Sequence, residues 1–240
     1  MMSAPTTLEL LWGGQHRPRR GPKPSLSLER IVTAAIELAD AEGLANLSMQ
    51  RLAEQVGCAK MALYRYVPGK AELTALMLDT AMGAPPQAPA GQDDSDEEPW
   101  RAQLRRWTVQ LFERMRQHPW ALEVAIGARP FGPNEVAWTE AALAALAQTR
   151  LSGPERLDAA VLLAGHARNL AQQSAGSAGP ETEAELARQV GEALAGRADR
   201  YPHTVAALAE SAGGGQDDAL HFGIDRVLDG LAALTAQRTG

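Results

Sequence analysis

Apolar positions recur at helical spacing from Leu28 almost to the end of the chain, and no stretch shows the strict alternation of a half-buried strand. The first stripe is Leu28, Ile31, Val32, Ala35, Leu38 and Ala39. Ser27 stands where an N-cap hydroxyl is wanted, Glu29 favours the positive end of the helix dipole, and Gly43 closes the segment. Leu47 and Leu52 then bracket Ser48 as a hydrophobic staple around a second N-cap, and a short helix through Leu52, Ala53 and Val56 ends at Gly57. A third short helix is predicted from about Lys60 to Tyr66, stopped by Val67-Pro68-Gly69, and a fourth carries Leu73, Leu76, Met77 and Thr80. Ahead of all this, residues 1–26 have no sustained periodicity and read as a flexible basic arm.

Residues 84–99 combine Pro85, Pro86 and Pro89 with Asp93, Asp94, Asp96, Glu97 and Glu98, the composition of a mobile linker between a first unit, 27–83, and a second, 100–240. Within the second unit the pattern predicts helices near 100–117, 119–127, 133–149, 154–176, 182–195, 200–211 and 217–237, separated by Gly153-Pro154, Ala178-Gly179-Pro180 and Gly213-Gly214-Gly215. The fold class expected is all-α.

Composition narrows the function. At 240 residues and 45% apolar content the chain can bury a sizeable core, and its one cysteine, Cys58, excludes an internal disulfide or a Cys-based metal site. No apolar run reaches the roughly 18–20 residues of a membrane span, and no signal-peptide pattern opens the chain, so a cytoplasmic, membrane-free setting is expected. The net charge of −6 is unevenly spread: residues 1–83 carry nine Lys/Arg against eight Asp/Glu, and Arg17, Arg19, Arg20 and Lys23 follow one another without an acid between them. A short basic arm of this kind can neutralise phosphates even in an acidic protein, although a solvated tail has the same composition.

Two short helices joined at Gly57 outline a helix-turn-helix: Ala53 is small enough for close approach, Gly57 can take the positive φ of the turn, and Leu52, Val56 and Leu63 can face the first helix. With Leu63 inward, the outer face shows Lys60, Met61, Tyr64 and Arg65, flanked by Tyr66 and Lys70, and no acidic residue lies between Glu54 and Glu72. That surface suits a DNA groove. The residues from Ile31 to Met77, with Ala53-x-x-x-Gly57, Leu63-Tyr64-Arg65-Tyr66-Val67 and Lys70, closely resemble the DNA-binding domain of TetR-family transcriptional repressors. His118 to Pro133 and His221 to Leu231 are similar to the tetracycline-repressor branch of that family.

The resemblance implies a three-helix DNA-binding domain followed by a larger helical domain for ligand binding and dimerisation. It implies that Ser48 and Gln50 open the helix that crosses the DNA backbone, and that Lys60, Met61 and Ala62 lead the recognition helix into the major groove. There Lys60 can address guanine, and Met61 and Ala62 a thymine methyl. Tyr64, Tyr66 and Lys70 would bind phosphates, with Arg65 in either role. Met61 and Ala59 depart from the family pattern of small or proline and hydroxyl residues, so the operator sequence does not carry over.

A homodimer through helices matching Pro154–Gly176 and Asp217–Gln237 is implied, its stripes running through Leu157, Val161, Ala164 and Arg168–Ala171 and through Leu220, Ile224, Val227, Leu228, Leu231 and Leu234. Part of each stripe is expected to bury within one subunit. Such a dimer reads an inverted-repeat double-stranded operator and releases it when a small molecule binds among the middle helices. The candidate lining is Trp107, Phe112, Met115, Trp120, Arg129, Phe131, Trp138, His166, Asn169 and Gln173, with Trp100 beside them. Aromatic groups with few polar ones suit a mostly apolar effector. Ala125 stands where that repressor has a magnesium-ligating histidine, and the five histidines have no metal-ligand spacing, so neither metal nor cofactor is expected. An all-helical enzyme keeping a vestigial helix-turn-helix lacks any catalytic motif to support it, and a DNA-bound protein adaptor is the other alternative.

Overall fold

The computed structural model describes residues 5–13, 26–87, 97–176, 188–212 and 218–238, and all regular structure among them is helical. In chain order the helices are α1 (Thr7–Trp12), α2 (Leu28–Glu42), a 3-10 turn (Leu44–Asn46), α3 (Met49–Val56), α4 (Lys60–Leu63), α5 (Lys70–Met82), α6 (Pro99–Gln117), α7 (Ala121–Val124), α8 (Pro133–Ala145), α9 (Gly153–Gly176), α10 (188–194), α11 (Pro202–Ala212) and α12 (Ala219–Gln237).

Local chemistry explains where the first helices begin and end. The Ser27 hydroxyl accepts the Arg30 N–H at 3.2 Å, and Ser48 accepts that of Arg51 at 3.2 Å, so two otherwise orphaned donors are satisfied. Gly57 is left-handed (φ 73°, ψ 43°), and the N–H groups of Gly57 and Cys58 turn back to the carbonyls of Glu54 and Ala53. That reversal lets α4 return against α2 and α3, with Ile31, Leu52 and Leu63 fully buried between them. The third helix is shorter than its pattern suggests: after Leu63 the chain continues as turns to Tyr66, with the Tyr66 and Val67 N–H groups both reaching the Leu63 carbonyl.

Helix α5 connects the two units. Leu73, Ala75, Leu76, Met77, Leu78, Asp79, Ala81 and Met82 are all buried, which is apolar burial nearly all round the helix. The reason is that α1 and α2 cover one side while α6, α7 and α8 cover the other. Helix α1 departs from the aperiodic arm read over 1–26. Thr6 and Glu9 form a reciprocal capping box, Leu11 is buried on α5, and the Trp12 indole N–H donates to the Phe131 carbonyl at 2.9 Å. Six residues are too few to show a helical period, so the sequence hides this element. The basic stretch from Arg17 to Lys23, and residues 88–96 of the linker, lie outside the described residues.

In the second unit α6, α8, α9 and α12 surround Leu104, Leu146, Leu163, Ile224 and Leu228. Trp107 and Trp138 meet edge to face, ring centroids 5.8 Å apart. Their N–H groups end on backbone: Trp107 donates to the Trp138 carbonyl and Trp138 to that of Gly83, each at 2.9 Å. Arg105 pairs with Asp225 and Arg101 with Asp229, joining α6 to α12, while Glu155 and Arg238 join the start of α9 to the end of α12. The two stripes read as a dimer seam differ: on α12 Ile224 and Leu228 are buried within the chain with Leu220, Val227, Leu231 and Leu234 packed against the core, whereas on α9 Ala171 is buried but Leu157 and Val161 are 47% and 69% exposed. Leu162 and Phe222 remain outward, at 56% and 66% exposure.

Candidate functional site

Two regions carry chemistry, and the N-terminal one is a surface. Lys60, Met61 and Arg65 are exposed on and just after α4, Tyr64 is 38% exposed and Ala62 half-buried. Met61, at 72% exposure, is a large apolar side chain held in water. The side chains of Lys60, Tyr64 and Arg65 make no hydrogen bond or ion pair among the described residues, so their donors are free for an outside acceptor. Gln50, exposed on α3, gives its amide to Glu54 at 2.8 Å. Ser48 spends its acceptor on the cap. Tyr66 donates its hydroxyl to the Leu26 carbonyl at 3.0 Å, and Lys70 Nζ donates to that of Leu44 at 3.2 Å, which leaves the ammonium two further N–H groups. All nine expected residues therefore lie at the cap or on α3, on α4 or the turns that follow it, and at the start of α5, but Ser48 and Tyr66 already serve the fold.

The second region is a cavity of about 260 Å³ bounded by α5, α6, α7, α8 and α9. Of the ten residues expected there, Trp107, Met115, Arg129, Phe131 and Trp138 line it. The other five point elsewhere. Phe112 packs half-buried against the core, and Asn169 and Gln173 are exposed on other faces of α9. The His166 ring bonds the Leu220 carbonyl at 3.1 Å and occupies the space a side chain on Gly223 would need, so it locks α9 to α12. Trp120 is buried with its N–H on Asp40 Oδ1 at 2.6 Å, where the His118 ring also arrives at 2.8 Å. This clasp ties the segment after α6 to α2 of the N-terminal unit. Trp100 is half-buried beneath the Arg101 guanidinium.

Residue types alone do not reveal the remaining walls. Leu157, Ala160, Val161, Ala164 and Arg168 share one face of α9, and a reading at helical spacing from Leu157 collects them. Arg168 is the residue such a reading misplaces in an apolar seam. Its guanidinium donates to the carbonyls of Leu122 (3.0 Å) and Ala125 (3.3 Å), at the end of α7. A magnesium ion does not fit beside Ala125, which offers a methyl group and lies next to that cation.

Polar ties also join the cavity to α5. Asp79 accepts the backbone N–H groups of Asn134 and Glu135 at 2.9 and 3.1 Å, fixing the start of α8 on α5. Burial pushes the Asp79 carboxyl up, while those N–H groups pull it down. Gly132 is obligatory here: an added Cβ would lie 2.2 Å from Asp79 Cγ. Arg129 and Glu135 form a doubly hydrogen-bonded pair on the cavity wall, 16% and 10% exposed.

These two regions have counterparts in known proteins. Residues 31–77 match the model described as bacterial regulatory proteins, tetR family, and residues 92–235 match the tetracyclin repressor-like C-terminal domain. The HTH-type transcriptional repressor DrrR1 of Streptomyces coeruleorubidus is 42% identical over 98% of this chain and 87% of that protein. An HTH-type transcriptional regulator of Saccharopolyspora erythraea is 36% identical over 52% of this chain and 51% of that one. Among solved structures, ActR of Streptomyces coelicolor in complex with actinorhodin superposes with a TM-score of 0.75 at 25% identity, covering 89% of this chain and 98% of that one. With both matches in the chain order of the two regions, the chain belongs to the TetR family of DNA-binding, non-enzymatic transcriptional regulators.

Proposed function

We propose that this protein is a homodimeric repressor that holds an inverted-repeat double-stranded operator and releases it when a small apolar or aromatic effector enters the α5–α9 cavity. The observation that carries the reading is the pairing, in one chain, of an acid-free surface with unspent donors at Lys60, Tyr64 and Arg65 and an aromatic cavity bolted to the same connecting helix, α5. Gln50, Lys60, Met61, Ala62 and Arg65 face bases, Tyr64 and Lys70 hold phosphates, and Ser48 and Tyr66 position the helices that carry them. The repressor DrrR1 and the actinorhodin complex of ActR support repression and effector binding respectively. Outward Leu162 and Phe222 support a dimer through α9 and α12, and no described helix is long and apolar enough to cross a membrane, in keeping with a cytoplasmic protein.

The test is selection of bound duplexes from a random DNA pool by the purified protein at fixed, near-physiological salt. An inverted repeat with half-sites about one helical turn apart is the expected product. Recovery of nothing above background overturns the reading.

A further inference from the structure

The charges on the cavity wall do not cancel. Arg129 and Glu135 neutralise one another through two hydrogen bonds. Arg168 has no such partner: its two hydrogen bonds go to the Leu122 and Ala125 carbonyls, and no carboxylate among the described residues pairs with it. Carbonyls orient a guanidinium without neutralising it, and three of its five N–H groups remain unspent. Opposite stand Leu78, Met82, Trp107, Leu111 and Trp138, a wall that offers no counter-charge.

A neutral apolar effector filling this space would cover the cation and leave it uncompensated, at a cost in binding. An effector bearing an oxyanion would instead gain a charge-assisted hydrogen bond beside largely apolar walls. We propose that the cavity selects an aromatic acid, a flat body of about two rings with one ionised acid group seated on Arg168. The limited volume, about 260 Å³, sets the size, and the edge-to-face pair of Trp107 and Trp138 sets the apolar, planar contact. Arg168 is thereby the specificity-determining residue of the site. The inference rests on the cavity being the effector site.

Two matched probes separate the parts: naphthalene-2-sulfonate, and 2-methylnaphthalene, which has the same two-ring body without the acid. Each is titrated into the full-length protein and into Arg168→Met, Arg168→Lys and Ala164→Phe, with operator binding and circular dichroism as checks of folding. Wild type is expected to bind the sulfonate about tenfold more tightly than the neutral probe, an advantage that Arg168→Met abolishes and Arg168→Lys keeps in part. Neutral-probe affinity is expected to hold or rise in Arg168→Met, where no cation is left covered, and Ala164→Phe, which fills the cavity, to weaken both probes. Equal weakening of the two probes by Arg168→Met, or none, overturns the acid preference while the cavity reading stands. Should Arg168→Met fail to fold, an Arg168→Lys protein with unaltered discrimination between the probes counts against the guanidinium fork. Probe binding that is absent, or indifferent to Ala164→Phe, overturns the cavity reading itself.

Discussion

The surface proposed to read DNA and the cavity proposed to take an effector solve opposite problems. On and just after α4, Lys60, Tyr64 and Arg65 project into water with their donors unspent, and the interior beneath them is plain: Ile31, Leu52 and Leu63, all fully buried. In the cavity nearly every polar atom is already committed, with both tryptophan N–H groups on carbonyls and Arg129 on Glu135. A reader of DNA needs free donors on a rigid base. A pocket that sorts small molecules needs fixed walls and one or two groups left over.

That contrast can be broken most forcefully at Leu63. Leu63→Ala deletes a fully buried side chain at the centre of the N-terminal unit and is expected to cost about 2–5 kcal/mol in denaturant unfolding. Operator binding should vanish while probe binding in the cavity persists; loss of both would mean that the two regions fold as one. Gly132→Ala comes next. The methyl it adds collides with Asp79 and is expected to loosen α8 from α5 at about 1–3 kcal/mol, seen as a lower melting temperature and a weaker effect of ligand on DNA affinity.

Lys60→Ala sharpens the account of the surface itself. It should relax preference at one base pair per half-site by about 1–3 kcal/mol, whereas Tyr64→Phe or Lys70→Ala weakens all sequences alike. Equal weakening by Lys60→Ala would move that residue to the phosphates. The smallest effect is at the α9–α12 end. Hydrogen bonds from Arg238 and Ser152 hold the Glu155 carboxyl down at about 2 instead of 4.5. A depressed carboxylate contributes stability above its ordinary range and loses it as pH falls through the folded value, so this contact should weaken from about pH 4.5 towards 2. An NMR titration of the Glu155 side chain reads this directly, and a midpoint near 4.5 would remove Arg238 as its partner.

The two regions also differ in how far they could be read from sequence. The N-terminal unit is built from contacts close in the chain, so caps at Ser27 and Ser48, the turn at Gly57 and the inward Leu63 all follow from local spacing. In the second unit, too, punctuation marks where helices begin, as at Pro133 and Gly153. Periodicity tells which face of a helix is apolar but not what lies across from it. Trp120 and Trp107 are equivalent by composition, yet one closes a clasp on Asp40 and the other walls the cavity. Arg168 was hidden for the converse reason, a charge embedded in a stripe of alanines and leucines whose carbonyl partners lie 43 and 46 residues away.

Helix α1 bears on how the protein is handled. Because Trp12 is hydrogen-bonded to the carbonyl of Phe131, a residue of the cavity wall, the short helix Thr7–Trp12 braces the cavity as well as leading into the basic arm. Trimming the N-terminus to ask what the arginines do would therefore answer two questions at once. Neutralising Arg17, Arg19, Arg20 and Lys23 in place isolates the electrostatic one, and an affinity tag belongs at the other end of the chain.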